Sequence, residues 1–139
     1  MQTDTRHRIE ASFAAQSMMA TLGAKLSHIE DGEVHISAPI LPGSLQQQGF
    51  AHAGLTFSIG DSAAGYSALT TLATGSEVVT AEMKINLLAP ARGDHLIAKG
   101  RVIKPGRRLV VVAADVYAIT GAEETLVAVL QGTIVPVAL

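Results

Sequence analysis

Asp61 is the residue of this chain that most suggests chemistry. It lies in the apolar run from Gly54 to about Leu72, and no Lys or Arg stands three or four residues away to pair with its charge. Burying a carboxylate is costly unless the charge is paired or solvated. Asp61 therefore either bonds a nearby Ser, or faces a solvent-filled groove, or is a functional carboxylate.

A loop-to-helix junction precedes Asp61. His52 stands nine residues before it, and Gly54 begins the predicted helix. A helix N-terminus presents free N–H groups and a partial positive charge, which suit an oxyanion or a polarised carbonyl oxygen. Glycine is also common before a helix without any functional role, and His52 can be an ordinary loop residue. The glutamines at 46–48 can be solvent-exposed loop residues that have no contact with a ligand. The residues alone leave the role of the junction open.

Three cations, Lys104, Arg107 and Arg108, flank a predicted tight turn. They could hold a phosphate, although turn charges usually only solvate the turn. Four further histidines form no metal-ligand spacing such as HxxxH or HEXXH, and we interpret them as surface or strand residues. They are His7, His28, His35 and His95. We therefore expect neither a metal site nor a cofactor.

The composition indicates a single apolar domain. The chain has 139 residues, 48% of them hydrophobic and only 16% charged, so a monomer would expose apolar area, and we expect a homo-oligomer. The net charge is −2, so the chain lacks the excess of Lys and Arg that is typical of nucleic-acid-binding proteins. There is no cysteine, the N-terminus lacks the apolar core of a signal peptide, and no run suits a membrane helix. We expect a cytoplasmic protein that binds neither nucleic acid nor membrane.

The predicted elements place one long helix before a sheet. Residues 6–22 suit a short helix that stops at Gly23, Lys25 to Ile40 suit a hairpin around Asp31-Gly32, and 41–52 suit a loop. The helix from Gly54 is apolar nearly all round and must be enclosed. Four Val/Ile/Leu-rich runs follow with short connections and predict an antiparallel meander that wraps the helix. These runs are Glu77 to Leu88, His95 to Ile103, Arg108 to Ile119 and Thr125 to Val137.

The order of these motifs resembles one known family. The pattern is Gln46, then residues 49–54 reading GFAHAG, then Asp61, then 79–91 reading VTAEMKINLLAPA, then Gly106-Arg107. It resembles the PaaI-type (phenylacetate-degradation) acyl-CoA thioesterases of the hotdog superfamily over about residues 40–135. The resemblance implies an α+β hotdog fold in which a curved antiparallel sheet of about six strands wraps one long central helix. It also implies a single domain, 1–139, with a helical extension at 1–23.

The resemblance also implies site residues and a reaction. The protein would hydrolyse an aryl- or medium-chain acyl-CoA without metal, with Asp61 as general base or nucleophile. The Gly54 amide would polarise the thioester carbonyl, His52 would shape the junction, Gln46 would lie near the carbonyl, and Thr80 would help to hold the attacking water. We further expect substrate contacts from another set of residues, the last three of them at the CoA phosphates. These are Gln48, Ala53, Phe57, Tyr66, Lys104, Arg107 and Arg108.

Two positions depart from the family pattern. Ala53 replaces the middle glycine of a His-Gly-Gly entry to the helix. Thr80 alternates along its strand with Glu82, Lys84 and Asn86, which predicts that it lies on the polar face, away from the helix. A role for Thr80 would then require that face to meet the site, for example across a subunit boundary.

The resemblance further implies that two subunits join their sheets edge to edge. Asp61 of one subunit would act with Gly54 and Gln46 of the other, in a homodimer or a homotetramer. The alternative is a non-catalytic acyl-CoA binding or sensing protein of the same fold. A hotdog hydratase would need a His soon after Asp61, and residues 62–70 read SAAGYSALT.

Overall fold

The computed structural model describes residues 1–138 as three α-helices and six strands. The helices are α1 (Thr3–Ala15), α2 (Ser17–Leu22) and α3 (Ala53–Leu69), with a short 3₁₀ helix at Pro42–Ser44. The strands are β1 (Lys25–Glu30), β2 (Glu33–Pro39), β3 (Glu77–Leu87), β4 (His95–Lys104), β5 (Val110–Thr120) and β6 (Glu123–Val137). No helix within 1–138 is both long and apolar enough to cross a membrane.

All six strands form one antiparallel sheet in the order β1-β2-β4-β5-β6-β3. The predicted α+β architecture, a long helix wrapped by about six strands, is confirmed. The prediction of a four-stranded meander in chain order was wrong at its first strand. Strand β4 already pairs with β2 on one side and β5 on the other, so β3 pairs with β6 and forms the far edge of the sheet.

Helix α3 lies against the concave face of this sheet. Eleven of its 17 residues are buried, which agrees with the prediction that a helix apolar nearly all round is enclosed. Small residues allow the close packing: a Cβ on Gly100 of β4 would overlap the α3 backbone at Ala63 and Ala64. The buried hydroxyl of Ser67 is satisfied, because its Oγ accepts the amide of Val34 of β2 at 3.0 Å.

The N-terminal segment forms two helices where the sequence predicted one. Gln16 adopts an extended conformation between α1 and α2, with ψ 97°, and Gly23 ends α2 in the left-handed region. Two α1 side chains tie the segment to the body of the protein. Arg6 Nη2 donates to the carbonyl of Ile29 at 2.8 Å, and Arg8 Nη2 donates to that of Ser76 at 2.6 Å.

Candidate active site

Asp61 lies in the third turn of α3 and lines a cleft of about 270 Å³. Its Oδ1 accepts a hydrogen bond from Thr80 Oγ1 on β3 at 2.8 Å. Within residues 1–138 no Lys, Arg or His forms an ion pair with this carboxylate. We call this opening the Asp61 cleft, and its remaining lining residues are Ser12, Gln16, Ser62, Gly65, Tyr66, Leu69, Glu77 and Val78.

Two opposing effects act on the Asp61 carboxyl. Partial burial, the larger effect, raises its pKa, and the hydrogen bond from Thr80 lowers it. The net direction is upward, because desolvation penalises the charged form more than one hydroxyl compensates. Asp61 is therefore a stronger proton acceptor than an exposed carboxylate, and Thr80 fixes the direction of one of its oxygens.

The contact between Thr80 and Asp61 overturns the prediction that Thr80 lies on the polar face of β3. A bulge between Thr80 and Glu82 adds one residue, since Thr80 pairs with Ile134 and Glu82 pairs with Thr133 on β6. An extra residue reverses the alternation of side chains beyond it. Thr80 therefore shares a face with the buried Ile134 and reaches Asp61 within one chain, without a subunit boundary.

The N-terminal helices form one wall of the Asp61 cleft, which the sequence did not predict. Tyr66 Oη is 3.0 Å from Ser12 Oγ and accepts a hydrogen bond from Gln16 Nε2 at 2.7 Å. The ring of Phe13 packs at a tilt on that of Tyr66, with centroids 6.3 Å apart. One signal was available in the sequence, because Gln16 recurs at helical spacing with Ile9, Phe13 and Ala20 and is polar among these apolar residues.

Most of the predicted residues of the loop-to-helix junction line a second cleft, of about 510 Å³, but Gly54 is not among its lining residues. His52 is the N-cap of α3, and its Nδ1 accepts the amide of Gly54 at 2.8 Å. The Gly54 N–H, the predicted oxyanion donor, therefore has an intramolecular partner. We call this opening the Gln46 cleft; it is lined by residues 46–48, 50–53, 56, 87–91 and 127.

Gln46 organises the loop that leads into α3. Its Oε1 accepts the backbone amides of Gln48 and Phe50, and its Nε2 donates to Gln48 Oε1 at 3.3 Å. The amide of Ala51 donates to the carbonyl of Ala91 at 2.8 Å and holds the loop against the segment after β3. Gln46 therefore has a structural role, because its side chain fixes the backbone of the loop at Gln48 and Phe50.

The two clefts are separate within one chain. Gly54 and Asp61 are seven residues apart on α3, which corresponds to about 10 Å along the helix axis. The Asp61 cleft and the Gln46 cleft share no lining residue. A single chain therefore does not bring the carboxylate within reach of a carbonyl bound at the start of α3.

The remaining predicted residues divide between these places. Ala53 and Gln48 line the Gln46 cleft, Tyr66 lines the Asp61 cleft, and Phe57 lines neither, although it is one turn before Asp61. The turn between β4 and β5 is at the Thr80 end of the sheet, because Val110 and Thr80 both pair with Ile134. Its cations are exposed and line neither cleft; they are Lys104, Arg107 and Arg108.

Comparison with known proteins gives the family. A family model described as "Thioesterase superfamily" matches residues 48–125, more than half of the chain. The crystal structure of a thioesterase family protein from Silicibacter pomeroyi has 36% sequence identity and a TM-score of 0.94, with 97% of this chain and 99% of that chain covered.

Two further similar proteins differ in how much of each chain the similarity covers. A Saccharolobus solfataricus protein named "Putative esterase" is 44% identical over 69 residues, which span 50% of this chain and 45% of that relative. The PaaI protein of the Escherichia coli phenylacetic acid degradation operon has 20% identity and a TM-score of 0.85, with 96% of this chain and 93% of that chain covered, so it shares the fold. The chain belongs to the thioesterase superfamily, which confirms the predicted hotdog fold and the predicted enzyme class, a thioester hydrolase.

Proposed function

We propose that this protein is an acyl-CoA thioesterase that hydrolyses an aryl- or medium-chain acyl-CoA to the free acid and CoA without a metal ion, with Asp61 as general base or nucleophile. The observation that carries this proposal is the state of Asp61. The carboxylate is partly buried, has no cationic partner within 1–138, bonds to Thr80, and has a raised pKa. A carboxyl with these properties is suited to accept a proton.

The reaction needs a nucleophile, a proton acceptor and a site for the oxyanion. With Asp61 as base, its free oxygen takes a proton from water, and the water oxygen attacks the thioester carbon. The tetrahedral oxyanion then collapses, the C–S bond breaks, and the proton on Asp61 passes to the CoA thiolate. With Asp61 as nucleophile, its carboxylate oxygen attacks the thioester carbon, the C–S bond breaks, and CoA leaves as the thiolate; water then hydrolyses the acyl–Asp61 anhydride to the free acid and the Asp61 carboxylate, and a proton from that water goes to the thiolate.

The oxyanion site is assigned to the start of α3 in a second copy of the chain. The reason is the separation of about 10 Å between Gly54 and Asp61 on one helix, which is too long for one carbonyl to meet both. Strand β3 has a free edge, and exposed apolar side chains lie on or beside it: Val79 (46%), Leu87 (57%) and Leu88 (54%). These features support a homo-oligomer in which Asp61 acts with Gly54 and Gln46 of the partner.

His52 must release the Gly54 amide for this site to work. In the free chain the His52 Nδ1 occupies that N–H, so a substrate carbonyl has to displace the ring. Because His52 is exposed, rotation of the ring costs little packing. His52 is then a positioning residue that keeps the amide capped until substrate arrives.

A thiol-release screen over aryl, short, medium and long acyl-CoAs tests the proposal. Asp61→Asn should lower kcat about 10²–10⁴-fold, the range of general-base catalysis, with an unchanged fold. Asp31→Asn is the matched control, because Asp31 lies in the exposed β1–β2 turn and is 71% exposed. Turnover by Asp61→Asn within threefold of wild type on every accepted substrate would refute the role of Asp61.

The occupied Gly54 amide also favours a second candidate, a binding or sensing protein that does not hydrolyse acyl-CoA. If His52 stayed on the amide, the oxyanion would lack its donor, and the Gln46 cleft could still bind a ligand. Equilibrium dialysis separates the two candidates. Saturable acyl-CoA binding without thiol release over hours would support the binding protein and exclude the enzyme.

A further inference from the structure

A cluster of metal-ligating side chains lies on the β1–β2 hairpin, apart from both clefts. His28 on β1 pairs directly with His35 on β2, and their rings are 4.6 Å apart. Glu33 is two residues before His35 on the same side of β2. The neighbours of His35 along β2, Val34 and Ile36, are fully buried beneath α3. The cluster therefore lies on the outer face of the sheet, at the edge opposite β3.

The ligand atoms are nearly close enough to share one ion. One nitrogen of His28, one nitrogen of His35 and one oxygen of Glu33 all lie within 4.8 Å of one another. A tetrahedral zinc ion with bonds of about 2.0–2.1 Å places its ligands about 3.4 Å apart. His35 Nε2 and Glu33 Oε1 are hydrogen-bonded at 2.7 Å, so an ion between them would replace that bond and move the two atoms apart by about 0.7 Å, while His28 would move closer to both. The His28 side chain is 39% exposed, and its movement has to break only one surface contact, that of its Nε2 with Glu30 Oε1 at 3.2 Å.

The two cations of the neighbouring strand do not block the cluster. Lys99 lies opposite His35 and Arg101 lies opposite Glu33 on β4. Both side chains contact residues of other strands. Lys99 Nζ is 3.4 Å from a Glu124 oxygen and 4.7 Å from the centroid of the Tyr117 ring. Arg101 Nη1 is 3.0 Å from an Asp115 oxygen.

We propose that His28, His35 and Glu33 form a binding site for a divalent transition-metal ion of the zinc class. Two imidazole nitrogens and one carboxylate oxygen suit Zn²⁺ or Ni²⁺ rather than Mg²⁺ or Ca²⁺, which prefer oxygen ligands. Glu30 is available as a fourth ligand, because its Oε1 is 3.2 Å from His28 Nε2. Water can take that position instead.

The site would fasten the edge strand of the sheet. Strand β1 pairs with β2 alone, and a bulge between Leu26 and His28 interrupts that pairing. An ion held by one ligand of β1 and two of β2 would link the strands directly beside the bulge. Binding to the folded state alone raises its stability, so the ion is a structural clip and has no part in thioester hydrolysis.

Zinc titration of the chelator-treated full chain tests the proposal. Isothermal calorimetry at about pH 7.5 should give one Zn²⁺ per chain. His35→Gln and Glu33→Gln should each weaken binding at least tenfold. Zn²⁺ should also raise the Tm of the wild-type protein and slow amide exchange in β1, and both effects should be lost in the two variants.

Two matched controls locate the ion. His7→Gln and His95→Gln remove a histidine from α1 and from the start of β4, and both should bind Zn²⁺ as the wild type does. Circular dichroism of each variant checks the fold, and Glu33→Gln keeps the shape of its side chain if a His variant unfolds. The proposal is overturned if wild type binds no Zn²⁺ at millimolar concentration, or if folded His35→Gln and Glu33→Gln bind it unchanged.

Discussion

Thr80→Val isolates the hydrogen bond that holds the candidate catalytic carboxylate. Valine keeps the shape of threonine and removes only the hydroxyl that donates to Asp61 Oδ1 at 2.8 Å. Thr80→Ser retains a hydroxyl and is the matched control. Both changes occur on an exposed residue of an edge strand, so neither should disturb the core.

The expected loss follows from the geometry of the contact. A hydrogen bond to a charged group contributes about 1.5–3 kcal/mol. Thr80 is exposed and Asp61 is only partly buried, so solvent replaces part of the contact and the low end of the range applies, about 1.5 kcal/mol. That corresponds to about a tenfold fall in kcat/KM.

The pH profile gives a second, independent readout. The Thr80 hydroxyl lowers the pKa of Asp61 against the larger effect of burial, so its removal should raise that pKa further. The acid limb of kcat/KM for Thr80→Val should therefore move to higher pH, and that for Thr80→Ser should not move. If Thr80→Val stays within twofold of wild type and its acid limb does not move, Thr80 does not control Asp61.

Three further predictions concern stability and substrate affinity. Asp61→Asn should raise the Tm at pH 7. The folded protein raises the pKa of this carboxyl, so Asp61 favours the fold only below its unfolded pKa of about 4 and loses that contribution as pH rises. Scanning calorimetry should show the gain shrinking towards pH 4, and a lower Tm at pH 7 would contradict the sign. Gly100→Ala should lower the free energy of unfolding by about 1–3 kcal/mol, because its Cβ would overlap the α3 backbone. Gly65→Ala should raise it by about 1 kcal/mol, because the new Cβ meets nothing within 4 Å. Urea unfolding measures both, and equal effects would refute the packing argument. Arg107→Ala should raise KM for acyl-CoA more than it lowers kcat, and an unchanged KM would remove the β4–β5 turn from the CoA site.

The central helix and its carboxylate could be predicted from local sequence. A segment that is apolar on every side has to be enclosed, so a single Asp inside it stands out. The start of α3 was predicted to within one residue, at Gly54 where the helix begins at Ala53, but the role of His52 as its N-cap was not predicted. Both features depend on neighbours within one or two helical turns, where sequence spacing and distance in space correspond.

Features that depend on strand pairing could not be predicted in the same way. The bulge between Thr80 and Glu82 places the Thr80 side chain on the opposite face of the sheet from the one predicted. No residue type in that strand indicates a bulge. The Tyr66 contacts with Ser12 and Gln16 span 54 and 50 residues. The pair His28 and His35 shows no metal-ligand spacing along the chain, because a hairpin register rather than a helical turn brings the two rings together.

The separation of the two clefts changes what a mutation can reveal. Because Asp61 and Gly54 are about 10 Å apart on one rigid helix, no side-chain rotation within one chain can bring them to the same carbonyl. If both act on one substrate, an inactive Asp61→Asn chain still carries an intact α3 start, and an inactive Gly54 variant still carries an intact carboxylate. Mixed dimers of two such chains would then contain one complete site, whereas a site confined to one chain could never be restored by mixing.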